Sequence, residues 1–129
     1  MVGKKILFIS TSIYPIVGGD TIYSSGLIYR LSKNNNVKVL TFGENNDFVN
    51  HKIYKNVKVI CFSRLSGIFY KIIKLLFNKS LLQDYSFAIK RFLKNEQLHK
   101  YDYIVLDHLR CYSISKSVFN VNRINTKII

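Results

Sequence analysis

Two stretches of this sequence hold residue types suited to chemistry. The first runs from Thr11 through Pro15 to Gly18-Gly19-Asp20, between an apolar run and a helical pattern. A glycine pair there can take positive φ and lets a ligand lie against the main chain. The amides opening the following helix offer donors and a partial positive charge to an anion. The second is Asp107-His108, at the end of a later apolar run. An acid beside a histidine invites general-base chemistry. Adjacent strand residues point to opposite sides, however, so Asp107 does not orient its neighbour's ring, and no serine or cysteine nucleophile is placed beside them. His108 is therefore a candidate for substrate contact, with a plain loop residue as the alternative. His51 and His99 lie in polar segments and are expected at the surface.

Neither glycine fingerprint for nucleotides is present. After Gly18 and Gly19 the next glycine is Gly26, expected to serve close packing of helix on sheet, and no acidic residue closes the next strand at Phe42. That spacing excludes a dinucleotide-binding G-x-G-x-x-G. The chain also lacks a G-x-x-x-x-G-K-[ST] phosphate loop.

The elements that must position these residues read as an alternation. Lys5 to Ser10, Val37 to Phe42, Val57 to Phe62 and Tyr103 to Leu106 are near-continuous apolar runs rich in Val and Ile, as in strands covered on both faces of a parallel sheet. Between them lie helical patterns. Leu27, Ile28 and Leu31 follow the glycines, with Asp20 or Thr21 able to cap. Tyr85, Ala88, Ile89, Phe92 and Leu93 form a second pattern, with Lys90, Arg91 and Lys94 mostly outward. A short helix is expected over Tyr112 to Phe119 and a fifth strand over Thr126 to Ile129. The order predicts an α/β fold, a parallel sheet with helices on both faces.

Length and charge bound the function. The 129 residues, 48% of them hydrophobic, suffice for one domain, residues 1–129. Twenty Lys plus Arg against seven Asp plus Glu give a formal charge of +13, which favours an anionic partner, although a solubilising surface alone would look the same. Nucleic acid is not the expected partner, because no recognition module is present and the aromatics fall inside strand and helix patterns. Cys61 and Cys111 have no Cys or His at metal-ligand spacing; they read as small buried hydrophobes in a reducing cytoplasm. The apolar run Ile6 to Ile9 is too short for a signal peptide, and no stretch approaches the ~20 apolar residues of a spanning helix. Residues 63–82 are basic and apolar at once: Ile68, Ile72 and Leu75 share one helical face, Phe69, Ile73 and Leu76 another, and Lys71 and Lys74 form a cationic edge. This pattern fits an interfacial helix facing anionic headgroups, or a core helix whose lysines reach outward.

Residues 4–42, KKILFISTSIYPIVGGDTIYSSGLIYRLSKNNNVKVLTF, resemble the N-terminal domain of retaining GT-B glycosyltransferases of the family 4-like group: a first strand, Pro15, Gly18-Gly19, then a helix with a small residue midway and a leucine near its end. YDYIVLDHL, residues 101–109, is similar to that family's fourth strand and its site-facing loop. The resemblance implies a Rossmann-like domain whose Gly18-Gly19 loop faces an interdomain cleft. It also implies transfer of a sugar, with retention, from a nucleotide-sugar donor to a glycan or lipid-linked acceptor, without a bound metal or other cofactor. Substrate contacts would fall at Gly18, Gly19, Thr11, Asp20 and His108.

The family's donor domain, with its E-x-x-x-x-x-x-E stretch, and the histidine after its fifth strand have no counterpart here. The expectation is therefore an incomplete acceptor-side domain, inactive without a C-terminal partner domain or subunit. It would be cytoplasmic, with Lys71 and Lys74 bringing it to an anionic inner membrane face. A non-catalytic α/β module that binds a membrane surface or a partner is the alternative.

Overall fold

The computed structural model describes residues 2–10, 13, 16–43, 48, 51–63, 68, 72, 75, 76, 87–107 and 126–129, with backbone alone at 87, 88 and 90. Five strands form one sheet: β1 (Lys5–Ile9), β2 (Asn36–Phe42), β3 (Lys58–Phe62), β4 (Tyr103–Leu106) and β5 (Lys127–Ile128). The order across the sheet is β3-β2-β1-β4-β5, and every neighbouring pair is parallel. These are the expected strands, their ends shifted by at most one residue. The helix expected over Tyr112 to Phe119, and Cys111, lie outside the described residues.

Alternation along β1 divides the core into two layers, since successive strand residues face opposite sides. Ile6 and Phe8 join Val37 and Val39 on one face, where helix α1 (Gly19–Ser32) contributes Ile28 and the turn around Lys52–Tyr54 contributes Tyr54. Leu7 and Ile9 join Leu40 and Phe42 on the other, covered by Ile89 and Leu93 of helix α2 (Phe87–Asn95). Ile6, Leu7, Phe8 and Ile9 are at most 1% exposed, so β1 is the axis of both layers. Burial of each such side chain stabilises the fold by about 1.5–3 kcal/mol relative to exposure. The fold is thus α/β and Rossmann-like, an all-parallel sheet with helices on both faces. Among the described residues no helix is long and apolar enough to cross a membrane.

Several expectations need correcting. His51 is half-buried rather than at the surface: its ring packs against Tyr54 at 5.6 Å and its Nδ1 accepts from the Ile53 amide. Tyr23 and Tyr29 are exposed on α1 rather than packed in the core, with the Lys33 ammonium 4.7 Å from the Tyr29 ring centre. Among the described residues a Cβ on Gly26 would meet nothing within 4 Å, so their packing does not require that glycine.

At the amino edge of the sheet Glu96 Oε1 accepts from Lys38 Nζ at 2.7 Å and from Tyr101 Oη at 2.6 Å. Burial opposes the Glu96 charge, but the hydrogen bonds from Lys38 and Tyr101, with the charges of Lys38 and Lys100, outweigh it and hold the carboxyl below its ordinary 4.5. Burial likewise opposes the Lys38 charge, and the bonds to Glu96 and Tyr101 again win, raising that ammonium above 10.5.

Two outcomes follow. Gly26→Ala, in a helix interior with free space, raises stability by about 0.5–1 kcal/mol in a thermal melt. A carboxyl lowered in the folded state stabilises above its unfolded pKa and loses that contribution as pH falls through the folded value. Urea midpoints of the native chain therefore fall as pH drops below the ordinary glutamate range, and Glu96→Gln, less stable at neutral pH, shows a shallower acid decline.

Candidate functional site at the sheet's switch point

In an open parallel sheet the crevice for a ligand lies beyond the carboxyl ends of the strands, where the strand order reverses. Here β2 leaves β1 on one side and β4 on the other, so the switch point lies between the ends of β1 and β4. Both strands continue their bonding by one residue: Ser10 N–H donates to Leu40 O at 3.0 Å, and Asp107 N–H to Ile9 O at 2.9 Å. This places Ser10 and Asp107 side by side at the seam.

A buried carboxylate is tolerable only when hydrogen-bonded. Asp107 is 8% exposed, and its Oδ2 accepts from Ser10 Oγ at 2.7 Å and from Ser24 Oγ of α1. One carboxylate oxygen therefore ties together β1, β4 and α1. One residue later, Ser25 Oγ and Tyr54 Oη share a hydrogen bond of 2.8 Å, and Tyr54 Oη donates to Ile13 O at 3.2 Å. Burial, only partly offset by the bond to Ser25, holds the Tyr54 hydroxyl above its usual pKa, so it serves as a donor throughout the physiological range.

The buried face of α1 is Thr21, Ser24, Ser25 and Ile28, spaced i, i+3, i+4, i+7. Leu27 and Leu31 only pack partly against the core, and Ile22 is exposed. Hydropathy thus points to the wrong stripe. The available signal was three hydroxyl residues at helical spacing before Ile28, a pattern that requires polar partners on the sheet.

The glycine pair opens this helix. Gly18 is the N-cap, with φ −115° and ψ 160°, an extended conformation open to any residue; positive φ occurs at Gly3 (68°) and Gly43 (151°) instead. The expected left-handed turn is therefore absent. Neither internal crowding nor backbone strain explains the pair: among the described residues a Cβ on Gly19 would meet nothing within 4 Å, and one on Gly18 only Thr21 Oγ1 at 4.0 Å. What the glycines leave clear is the space outside.

Capping comes from Thr21, one of the two expected residues, acting from inside the first turn. Its Oγ1 accepts from Gly18 N–H at 3.1 Å and Val17 N–H at 3.2 Å. The amides of Gly19, Asp20 and Thr21 precede the first helical bond, Ile22 N–H to Gly18 O, and so lack intrahelical acceptors. Asp20 is exposed in this turn, where its charge already complements the helix's positive end. That favours neutral hydroxyls over phosphate at the mouth. Exposed Val17, Ile22 and Tyr23 give it an apolar rim.

Of the site residues expected from sequence, Gly18, Gly19 and Asp20 are described and lie together at this mouth; Thr11, Pro15, His108, Lys71 and Lys74 fall outside the described residues. Ser10 and Asp107, the chain neighbours of Thr11 and His108, are together at the seam. In the basic apolar stretch, Ile68, Ile72, Leu75 and Leu76 are helical and all at least half exposed. Cys61 is half-buried against the α1-side core. Among the described residues no three His, Cys, Asp or Glu side chains converge as metal ligands.

Asp107→Ala leaves the buried Ser10 hydroxyl without this acceptor and Ser24 Oγ with the Asp20 carbonyl at 2.9 Å, and costs about 1–3 kcal/mol in urea unfolding. Because Ser10 and Ser24 share one oxygen, the double Ser10→Ala, Ser24→Ala variant departs from the sum of the single changes in a double-mutant cycle, whereas additive changes would mean that they act separately. No protein-family model matches this chain, and no curated protein matches its sequence, so its function has to be argued from this geometry.

Proposed function

We propose that this chain is the acceptor-side, N-terminal domain of a retaining glycosyltransferase that moves a sugar from a nucleotide-sugar to a glycan or lipid-linked acceptor. The observation that carries the reading is the pair Gly18-Gly19 at the switch point, which among the described residues neither φ nor crowding requires. The resemblance over residues 4–42 supplies the reaction class, and the geometry supports the acceptor's place in it. A hydroxyl-bearing acceptor lies against the main chain of Gly18 and Gly19, where first-turn amides donate and Asp20 disfavours a phosphate. The donor is held by a second, C-terminal domain, in the same polypeptide or a partner subunit, that closes on the apolar rim of Val17, Ile22 and Tyr23. Asp107 touches no substrate in this scheme; it holds the start of α1 against the β1/β4 seam so that the mouth keeps its shape.

The acceptor side also suits a membrane surface. Exposed Ile68, Ile72, Leu75 and Leu76, spaced i, i+4, i+7, i+8, give a helical apolar stripe, and the sequence interleaves Lys71 and Lys74. The proposed location is therefore the cytoplasmic face of the cell membrane, held peripherally. A membrane-surface module without catalysis shares this feature, and the assay below separates the two.

The chain is combined with the polypeptide encoded directly downstream, radiolabelled UDP- or GDP-hexoses and a membrane extract. Label transfer is expected only with both polypeptides present. Gly19→Val lowers transfer about tenfold or more while changing stability by less than about 1 kcal/mol. A downstream product without a nucleotide-sugar domain, or transfer indifferent to Gly19→Val, would contradict the reading. Lys71→Glu with Lys74→Glu is expected to weaken sedimentation with anionic vesicles; undiminished sedimentation would remove the electrostatic part.

A further inference from the structure

The opposite edge of the sheet carries a second feature, independent of the glycosyltransferase reading. Lys5, Asn36 and Lys58 are the first residues of β1, β2 and β3, so the parallel arrangement brings them to one edge. The register sets Lys5 beside Asn36 and Lys38 directly beside Lys58. By the two-residue period all four face the α2 side of the sheet. Lys100 and Tyr101 reach the same place from the turn after α2, and together the six residues line a cavity of about 210 Å³.

The charge there is unbalanced. Lys38 is paired with Glu96 at 2.7 Å, and Asp102, the nearby acid, is engaged by Lys4 Nζ at 3.1 Å and by the Lys5 amide at 2.8 Å. Lys5 also acts on Asp102 and Lys100 on Glu96, so among the described residues five lysines at this edge, Lys4, Lys5, Lys38, Lys58 and Lys100, face two acids and the carboxyl end of α2, about half a negative charge. Like charges directly opposite on neighbouring strands destabilise a sheet, yet Lys38 and Lys58 occupy such a pair in register. An anion between them would turn that repulsion into attraction. The cavity is smaller than the ~300–1,000 Å³ of sites that take drug-sized ligands, which suits one compact group rather than a whole nucleotide.

We propose that this amino-edge groove is a binding site for a phosphate or diphosphate group, held by Lys5, Lys58 and Lys100 around the Lys38–Glu96 pair. Lysine ammoniums act as point charges for such oxygens, and Lys38, fixed by Glu96 and lying 5.2 Å from the Phe92 ring centre, is preorganised at its centre. The shared chemistry is the phosphoryl group, whether free in solution or on a lipid headgroup.

The test uses inorganic diphosphate, titrated into the ¹⁵N-labelled chain against sodium chloride of equal ionic strength. Saturable shifts are expected at the amides of Lys5, Lys38, Lys58 and Lys100, with a rise in melting temperature. The Lys58→Gln, Lys100→Gln variant, altered at two exposed positions, keeps or raises the melting temperature without ligand and weakens diphosphate at least tenfold; Lys58→Arg with Lys100→Arg restores it. Shifts that never saturate, or an unchanged response in the glutamine variant, would overturn the proposal. Vesicles containing phosphatidic acid separate the sources: sedimentation lost in the glutamine variant assigns the groove to headgroups, and diphosphate saturation with sedimentation unaffected by that variant assigns it to a soluble ligand. Gly19→Val, at the other end of the sheet, leaves diphosphate binding unchanged, so failure here is distinct from failure of the transferase reading.

Discussion

A single carboxylate oxygen organises the carboxyl end of this sheet. Asp107 Oδ2 receives Ser10 Oγ from the end of β1 and Ser24 Oγ from α1, across the seam where the strand order reverses. The cost of burying a charge makes this contact obligatory, since the carboxylate is sheltered from water and depends on protein donors. It fixes the direction in which α1 leaves the sheet, and with it the positions of Gly18, Gly19 and the first-turn amides. The Ser25, Tyr54 and Ile13 bonds repeat the device at the next residue of the helix. Polar pinning replaces apolar packing where a helix must stand at the edge of a crevice.

The sheet was legible because burial on both faces leaves a plain record. Ile6 to Ile9 or Val37 to Phe42 can be read as parallel strands without knowing their neighbours, and each appears within a residue of its expected place. Helix α1 was legible in extent but not in orientation. Its inward face is Thr21, Ser24 and Ser25, residues that hydropathy assigns outward, and the partners that make them tolerable lie 29 and 83 residues away, at Tyr54 and Asp107. The positive φ expected at the glycine pair is not found, and the open space around it among the described residues is visible only once the sheet is folded. The basic groove was illegible, because its lysines come from three strands and a turn and meet only through register.

Among the described residues the two ends of the sheet differ in their charges. At the carboxyl edge, Asp20 and Asp107 put acids at the helix start and in the seam. At the amino edge, lysines outnumber the acids that pair with them. Part of the +13 formal charge is therefore concentrated on one edge of the sheet. On the two proposals, a hydroxyl-bearing acceptor goes to one end of the sheet and a phosphoryl group to the other.

The claim on which this account rests is that Asp107 clasps α1 to the seam of β1 and β4. Native-state hydrogen exchange on Asp107→Ala tests it most directly. The account predicts that amides from Ile22 to Ser25, with those at the ends of β1 and β4, lose protection far more than those of β2 and β3. A uniform loss across the sheet and α1, or unchanged protection of α1's first turns, would contradict it.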